Sequence, residues 1–547
     1  MIKRLFNGEI NSITAAALLV GGSSLVSRLL GIFRDRILAG QFGAGDTLDI
    51  YYAAFRIPDL IFNLLVLGAL SAGFIPIFTS LIKSPLEKIK SLLGRDYEEA
   101  WQLASSILNI LGLSLLVLCG LGVILAPQIM PLITPGFSRD KLDLTVGLAK
   151  IMFLSPIFLG ISSVFGGILQ SFKRFFVYSM SPIFYNVGII IGALYLTPLW
   201  GIYGLAWGVV LGAVAHMAVQ LPALIQLGFK YKFRFDLKNS RVIKVWLMMA
   251  PRVMSLAISQ LNLLAITIIA STLSSGSLTI FNFANNLQSF PVGIFGISFA
   301  IAAFPALSAV AFDKKRLVKD LSLTVRQILF FIIPSTVILL ALRVQIARVV
   351  LGTGQFDWQD TVLTIDTLSF FAISRFAQAL IPLLIRVFYA RHDAKTPFII
   401  GLAAALINIF LSIKFSASLG VAGLALAFSL ANIINLILLW AWLNFEIGRI
   451  DEWKIFIATV KFSLAALAGG FTIQAVKFII GASIDMTKFL GILIQGFSAG
   501  LAGILIYLLV CLILKSEELF SFWLSLQRRL AGVKKIETPD QGEARGI

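Results

Sequence analysis

Residues 27–35 read Ser27-Arg28-Leu29-Leu30-Gly31-Ile32-Phe33-Arg34-Asp35, and they sit at the end of a long apolar segment that starts near residue 11. An arginine at bilayer depth costs about 3 kcal/mol even on a lenient insertion scale, so such a residue faces an internal cavity or a partner rather than lipid. Helical spacing puts Ser24, Ser27, Arg28, Gly31, Arg34 and Asp35 on one stripe. Leu25, Val26, Leu29, Leu30 and Phe33 cover the rest of the circumference. The first helix therefore shows lipid an apolar side and turns a cationic, small-residue side inward.

The rest of the chain extends this reading. Of 547 residues, 58% are hydrophobic and 13% charged, and the mean hydropathy is +0.94. Apolar runs are about 20 residues long, which fits membrane-spanning helices and excludes the short alternating strands of a barrel. Lys plus Arg is 45 against 27 for Asp plus Glu, a net charge of +18. The excess sits mostly in loops, so it sets topology and meets anionic lipid, and no nucleic acid is implied. Cys119 and Cys511 lie in apolar runs and suggest neither disulfides nor a metal site. The basic N-terminus, with Lys3 and Arg4, is read as leading into an uncleaved first span.

About fourteen apolar segments are expected, the first at 11–33 and the tenth at 361–390. Every second loop is basic: Lys83, Lys88, Lys90 and Arg95; Lys173 and Arg174; Lys230, Lys232, Arg234, Lys238 and Arg241; Lys314, Lys315, Arg316 and Lys319; Arg391 and Lys395. The positive-inside rule then puts both termini in the cytoplasm. The sequence also repeats itself. Gly201-Ile-Tyr-Gly-Leu-Ala-Trp matches Gly420-Val-Ala-Gly-Leu-Ala-Leu, and Gly73-Phe74-Ile75-Pro76 echoes Ala302-Ala303-Phe304-Pro305. An offset of six spans preserves orientation, so two six-helix lobes should relate by an axis along the membrane normal. The expected division is an N-lobe at 1–228, a basic linker at 229–242, a C-lobe at 243–445, two further spans at 446–514, and a polar tail at 515–547 with an amphipathic stretch from Leu519 to Leu530.

Catalysis has no visible basis. There is no Walker A loop, no metal-ligand cluster and no nucleophile elbow. His216 reads as a packing residue in the sixth span and His392 as a loop residue. No cofactor is expected. Uphill transport would draw on the membrane potential, an ion gradient or removal of product. Four helices carry polar stripes that suit a wet, cationic cavity. Beside the first stripe, Asp49, Tyr52, Arg56, Asp59 and Asn63 share a face of the second span. Asn282, Asn285, Asn286 and Ser289 share one on the eighth, and Arg375, Gln378 and Arg386 one on the tenth. Arg252, after Pro251, adds a cation to the seventh. Several arginines with few acids suit an anion, and the guanidinium fork matches phosphate oxygens. The same stripes also suit helix packing, in which Ser, Gly and Asn bind helix to helix.

The 27–35 motif, Phe42-Gly43-Ala44-Gly45, Asp49, Ala54-Phe55-Arg56-Ile57-Pro58, the run from Gly68 to Pro76, Thr134-Pro135-Gly136-Phe137 and Phe290-Pro291-Val292-Gly293 together resemble the MurJ (MviN) lipid II flippase family. The resemblance implies the fold of the multidrug/oligosaccharidyl-lipid/polysaccharide exporter superfamily. It also implies movement of undecaprenyl-diphosphate-linked disaccharide-pentapeptide between leaflets of the bacterial cytoplasmic membrane. Partners implied are lipid II, membrane lipids and proteins of cell-wall synthesis or division. Arg28 and Arg34 match the family's first-helix arginines, with Ser27, Asp35, Asp49 and Arg56 beside them; the last two spans match a groove for the polyprenyl tail. Well-known members carry Arg-Arg and Glu where this chain has Phe62, Asn63 and Leu67, and Asp-Arg and Glu where it has Asn285, Asn286 and Ser289. Cations and acids are lost together. Alternatives that share these features are an exporter of another polyprenyl-linked glycan, a drug/cation antiporter with a buried acid, and a non-transporting scaffold.

Overall fold

The computed structural model describes residues 13–67, 73–82 and 97–530. The N-terminal Lys3 and Arg4, residues 68–72, the basic stretch with Lys83, Lys88, Lys90 and Arg95, and the tail beyond 530 fall outside them, as do the side chains of Leu67 and Arg252. Among the described residues every regular element is helical.

The first half opens with α1 (Ile13–Phe42) and α2 (Asp46–Phe62); α2 continues as a π-helical segment (Asn63–Leu67), and α3 (Ile75–Ile82) follows. Next come α4 (Glu98–Ile133), α5 (Arg139–Met152) and α6 (Leu154–Ser171). α7 (Phe175–Ile191) passes through a π-helical segment (Gly192–Leu196) into α8 (Thr197–Trp200), and α9 (Tyr203–Ala218) and α10 (Leu221–Gln226) complete the half. In the second half, α11 (Ser240–Ser271) and α12 (Ser277–Pro291) lead into a third π-helical segment (Val292–Ile297) and α13 (Ser298–Ala309). α14 (Lys314–Ala341), α15 (Arg343–Val350), α16 (Trp358–Ala372), α17 (Arg375–Ala390), α18 (Lys395–Leu419) and α19 (Val421–Ile447) follow. A packed pair, α20 (Glu452–Gly481) and α21 (Phe489–Ile513), and a short α22 (Glu517–Leu530) end the chain.

Ten of the described helical stretches are long and apolar enough to cross a membrane, and eleven when α16 and α17, bent by 47°, count as one. α1 and α2 are not among the ten, α2 being only 17 residues long, and of α11 only Leu256–Ser271 stands out as apolar. The sequence places the end of the first span at 33, yet α1 runs on to Phe42. Its last turns are stabilised by burial of Asp35, Leu38 and Ala39 against their neighbours. The tenth span is broken instead of continuous. Ser374 at the bend bonds Ser429 Oγ at 2.9 Å and accepts from Gln378 Nε2 at 2.9 Å, which satisfies polar groups that the break leaves open.

Within each half, small residues bring helix backbones together, as membrane helices without a hydrophobic drive require. A Cβ on Gly188 of α7 would lie 2.2 Å from the Gly212 Cα of α9, and one on Gly192 would lie 2.4 Å from that of Gly208. Gly469 and Gly503 make the same close approach between α20 and α21. The segment between the halves, 227–239, is laid along α4: Asn109 Nδ2 donates to the carbonyls of Lys232 and Arg234 at 3.3 and 3.0 Å, and Tyr231 donates to Asn109 Oδ1 at 2.7 Å. His216 is a packing residue, 2.6 Å by Nδ1 from Ser162 Oγ and edge-on to Tyr185.

Candidate substrate-binding site

Loops gather at two faces. One carries the basic loops, where Arg391 donates to the Ala311 carbonyl at 2.9 Å and His392 lies beside Phe312. At the opposite face the two halves are tied together. Asp49, buried on α2, accepts from Gly276 N (2.8 Å), Thr279 N (2.9 Å) and Thr279 Oγ1 (2.7 Å), all at the start of α12. A carboxylate there meets the unpaired N–H groups and positive end of the helix dipole. Lys141 bridges Asp49 and Asp46, at 3.3 and 2.7 Å, and Asp46 accepts from Ser275 at 2.5 Å. Gly276 has φ of +85°, and a Cβ there would fall 1.9 Å from the Ala44 carbonyl oxygen, so only glycine lets the loops meet. Ala44 N also donates to Asp360 at 3.0 Å, and Gln355 N to the Gly40 carbonyl at 2.9 Å. Asp49, expected among the cavity residues, is therefore turned away from the cavity: its oxygens are consumed by the helix start and by Lys141.

Further toward the basic face, the seam becomes a cavity of about 280 Å³. Arg34, Tyr52, Arg56, Asp59 and Tyr185 line it from the first half, and Asn282 and Asn286 from α12. Arg34 donates to Asp35 (2.8 Å) and to Asn186 (3.1 Å); Asp35 accepts in turn from Asn286 at 2.8 Å. Arg56 turns to the second half and donates to Thr267 (2.7 Å) and Asn282 (3.0 Å) rather than to Asp59. Thus Asn286, one of the positions expected to have lost a charge, is wired to Asp35, and its neighbour Asn282 to Arg56. Asn63 donates back to the Asp59 carbonyl at 2.8 Å and Ser289 to the Asn286 carbonyl at 3.0 Å, so both satisfy their own helices. The Tyr52 hydroxyl is buried without a partner in this cavity, a donor and acceptor held ready for a ligand or water.

Arg28 is placed differently. From Ser24 to Leu29, α1 is largely exposed, with Leu25, Val26 and Leu29 on its apolar side, whereas from Asp35 onward more of it is buried. The Arg28 side chain reaches across to the π-helical segment after α12, where a Cβ on Gly293 would lie 2.2 Å from its guanidinium. Arg28 is exposed, and among the described residues it has no hydrogen-bonding or ionic partner, unlike Arg34 and Arg56. Ser27 is half-buried beside it. Arg375, expected on the same cavity, is instead fully buried inside the second half, donating to the carbonyls of Ser335 (3.1 Å) and Gln288 (3.0 Å). The periodicity that put it on a polar stripe is genuine, but the stripe faces helix carbonyls. Asn285 also leaves the first cavity. It lines a second one of about 410 Å³ within the second half, and a third of about 710 Å³ opens beside Arg386 and His392. Sequence reasoning missed Tyr185, Asn186 and Thr267 as site residues. Each is a lone polar group in an apolar run, without the recurrence that marks a stripe.

The profile of the family described as "Lipid II flippase MurJ" matches residues 38–494. The chain belongs to the MurJ family. A relative in Vibrio cholerae serotype O1, "Probable lipid II flippase MurJ", is 30% identical over 469 residues, covering 83% of this chain and 87% of that protein. Among solved structures, "Lipid II flippase MurJ, inward closed conformation" superimposes with a TM-score of 0.74 at 27% identity, covering 91% of this chain and 98% of that one. An inward-facing multidrug transporter of the MATE family, in the MOP superfamily, matches with a TM-score of 0.64 at 14% identity and shares the fold. MurJ proteins are flippases and not enzymes, as the lack of catalytic motifs implied. This multi-pass bacterial membrane protein is a lipid II flippase by family.

Proposed function

We propose that the chain carries lipid II from the cytoplasmic to the outer leaflet by alternating access, the two halves acting as six-helix lobes. The free, exposed guanidinium of Arg28, beside Gly293 on the seam between the halves, carries this reading. It offers a diphosphate an unspent fork, and Arg34 lies about two helical turns deeper, roughly 9 Å along the axis. The basic-loop face is cytoplasmic, with both termini on it, following the charge bias of the loops. Asp49, Lys141 and α12 then close the outer side. The head group enters between the lobes while the polyprenyl chain stays in lipid along α20 and α21. Burying two negative charges without partners would cost many kcal/mol, and the arginines replace lost hydration. No cofactor takes part; a potential negative inside favours outward movement of an anion by about 2.3 kcal/mol per charge per 100 mV. Proteins of cell-wall synthesis or division would meet the cytoplasmic loops.

The test is lipid II binding to purified protein, wild type against Arg28→Ala and Arg34→Ala, with undecaprenyl monophosphate as control. Preference for lipid II that Arg28→Ala abolishes supports the reading. Equal binding of monophosphate and lipid II by wild type overturns it.

A further inference from the structure

The second-half cavity has a composition unlike the first. Ser259 and Asn262 of α11, Asn285 of α12, Asn408 of α18, and Asn432 and Asn435 of α19 supply its polar groups, and no ionisable side chain lines it. At about 410 Å³ it falls in the usual size range of ligand pockets, about 300–1,000 Å³. The amides are only partly spent on one another. Asn408 Nδ2 donates to Asn262 Oδ1 at 2.8 Å, and Asn432 Nδ2 to the Phe428 carbonyl at 2.8 Å. The Asn435 oxygen is buried with no donor at all. A buried acceptor left unpaired is costly, and a ligand that donates to it removes the cost.

The chemistry selects the ligand. A diphosphate or a peptide carboxylate would find no cation here, and a cationic drug or metal ion would find no carboxylate. A side-chain amide both donates and accepts, as do sugar hydroxyls and acetamido groups. Phe281, Phe398 and Phe428 supply apolar walls for the C–H faces of a sugar ring. The cavity is also reachable. It shares Ile385 and Phe398 with the large vestibule beside Arg386 and His392, at the basic-loop face. It adjoins the first cavity through α12, which presents Asn282 and Asn286 to one side and Asn285 to the other.

We propose that this amide-lined cavity is a second subsite, taking the uncharged disaccharide of the lipid-linked substrate while the diphosphate stays with the first-helix arginines. The assignment rests on the lipid II reading above and goes beyond it in dividing the head group between the two lobes.

The test compares lipid II with undecaprenyl diphosphate, which lacks the sugars, on full-length purified protein and on Asn435→Leu and Asn432→Leu. Wild type should prefer lipid II, and each variant should lose that preference by about tenfold or more, with undecaprenyl diphosphate binding unchanged. Unchanged lipid II affinity in both variants overturns the subsite and leaves the flippase reading intact. A parallel loss of both lipids also overturns it, because the amides would then serve the fold. A wild type that binds neither diphosphate lipid better than undecaprenyl monophosphate sinks the flippase reading itself. A lipid II analogue with a diazirine on the sugar N-acyl group gives an independent readout: crosslinks should map to α18 and α19, and crosslinks confined to α1 and α2 refute the placement.

Discussion

Replacing Asp49 by alanine should release the closed face. In the closed state its carboxylate holds two backbone N–H groups of α12, the Thr279 hydroxyl and Lys141, over 2.7–3.3 Å. Hydrogen bonds to a charged group contribute about 1.5–3 kcal/mol each. They do not add fully, since Lys141 keeps Asp46 and the N–H groups regain water once the lobes part. A net loss of about 3 kcal/mol to the closed state alone corresponds to a shift of roughly a hundredfold in the open-to-closed ratio. The shift is readable as a distance distribution between spin labels at Arg139→Cys and Ser274→Cys, both exposed at this face, after replacement of the two buried cysteines, Cys119 and Cys511, by alanine. Wild type should show a dominant short distance and Asp49→Ala a dominant long one, with reduced flipping of lipid II in vesicles. An unchanged distribution would refute the idea that this carboxylate holds the lobes shut.

Other predictions separate ligand contacts from structural ones. Arg28→Ala should weaken lipid II binding by about tenfold to a hundredfold with no change in thermal stability, because its guanidinium has no protein partner to abandon; binding and unfolding curves on the same sample check this. Gly293→Ala should leave lipid II affinity within about threefold of wild type, since its Cβ would meet only the mobile end of the exposed Arg28 side chain, which can swing aside, and circular dichroism should show the helix content unchanged. Arg375→Ala should behave in the opposite way to Arg28→Ala. Removing a fully buried cation bonded to two carbonyls should lower the unfolding midpoint markedly, and lipid II affinity measured on the remaining folded protein should hold.

The all-helical membrane fold and the first-helix stripe were legible because bilayer length and helical period act on every span alike. Arg28, Arg34, Arg56, Asn282 and Asn286 fall along one seam because each lies on a stripe whose other side is apolar. The same rule misplaced Asp49, Asn285 and Arg375. Periodicity gives the side of a helix that is polar but not what stands opposite it, and opposite these three stand a helix N-terminus, a second cavity and a pair of backbone carbonyls. The substituted asparagines were legible as losses of charge. The bond from Asn286 to Asp35 was not, nor that from Arg56 to Asn282, since both join residues more than two hundred positions apart. The bend at Ser374 was equally silent: no proline or glycine marks it.

Glycine-lined crossings lock each half internally, whereas α12 meets the first half through carboxylate, guanidinium and amide contacts, with the edge-on pair Tyr52–Phe283 among them. These two kinds of joint respond differently to water. A glycine crossing has nothing to offer a solvent molecule, but each polar contact on α12 can be exchanged for a hydrated one at a net cost of about 1.5–3 kcal/mol for a hydrogen bond to a charged group. Wetting therefore selects the plane of fracture. The molecule can come apart along α12 and close again many times without loosening either half, so the fault line that makes movement affordable is written in side chains that tolerate being rinsed.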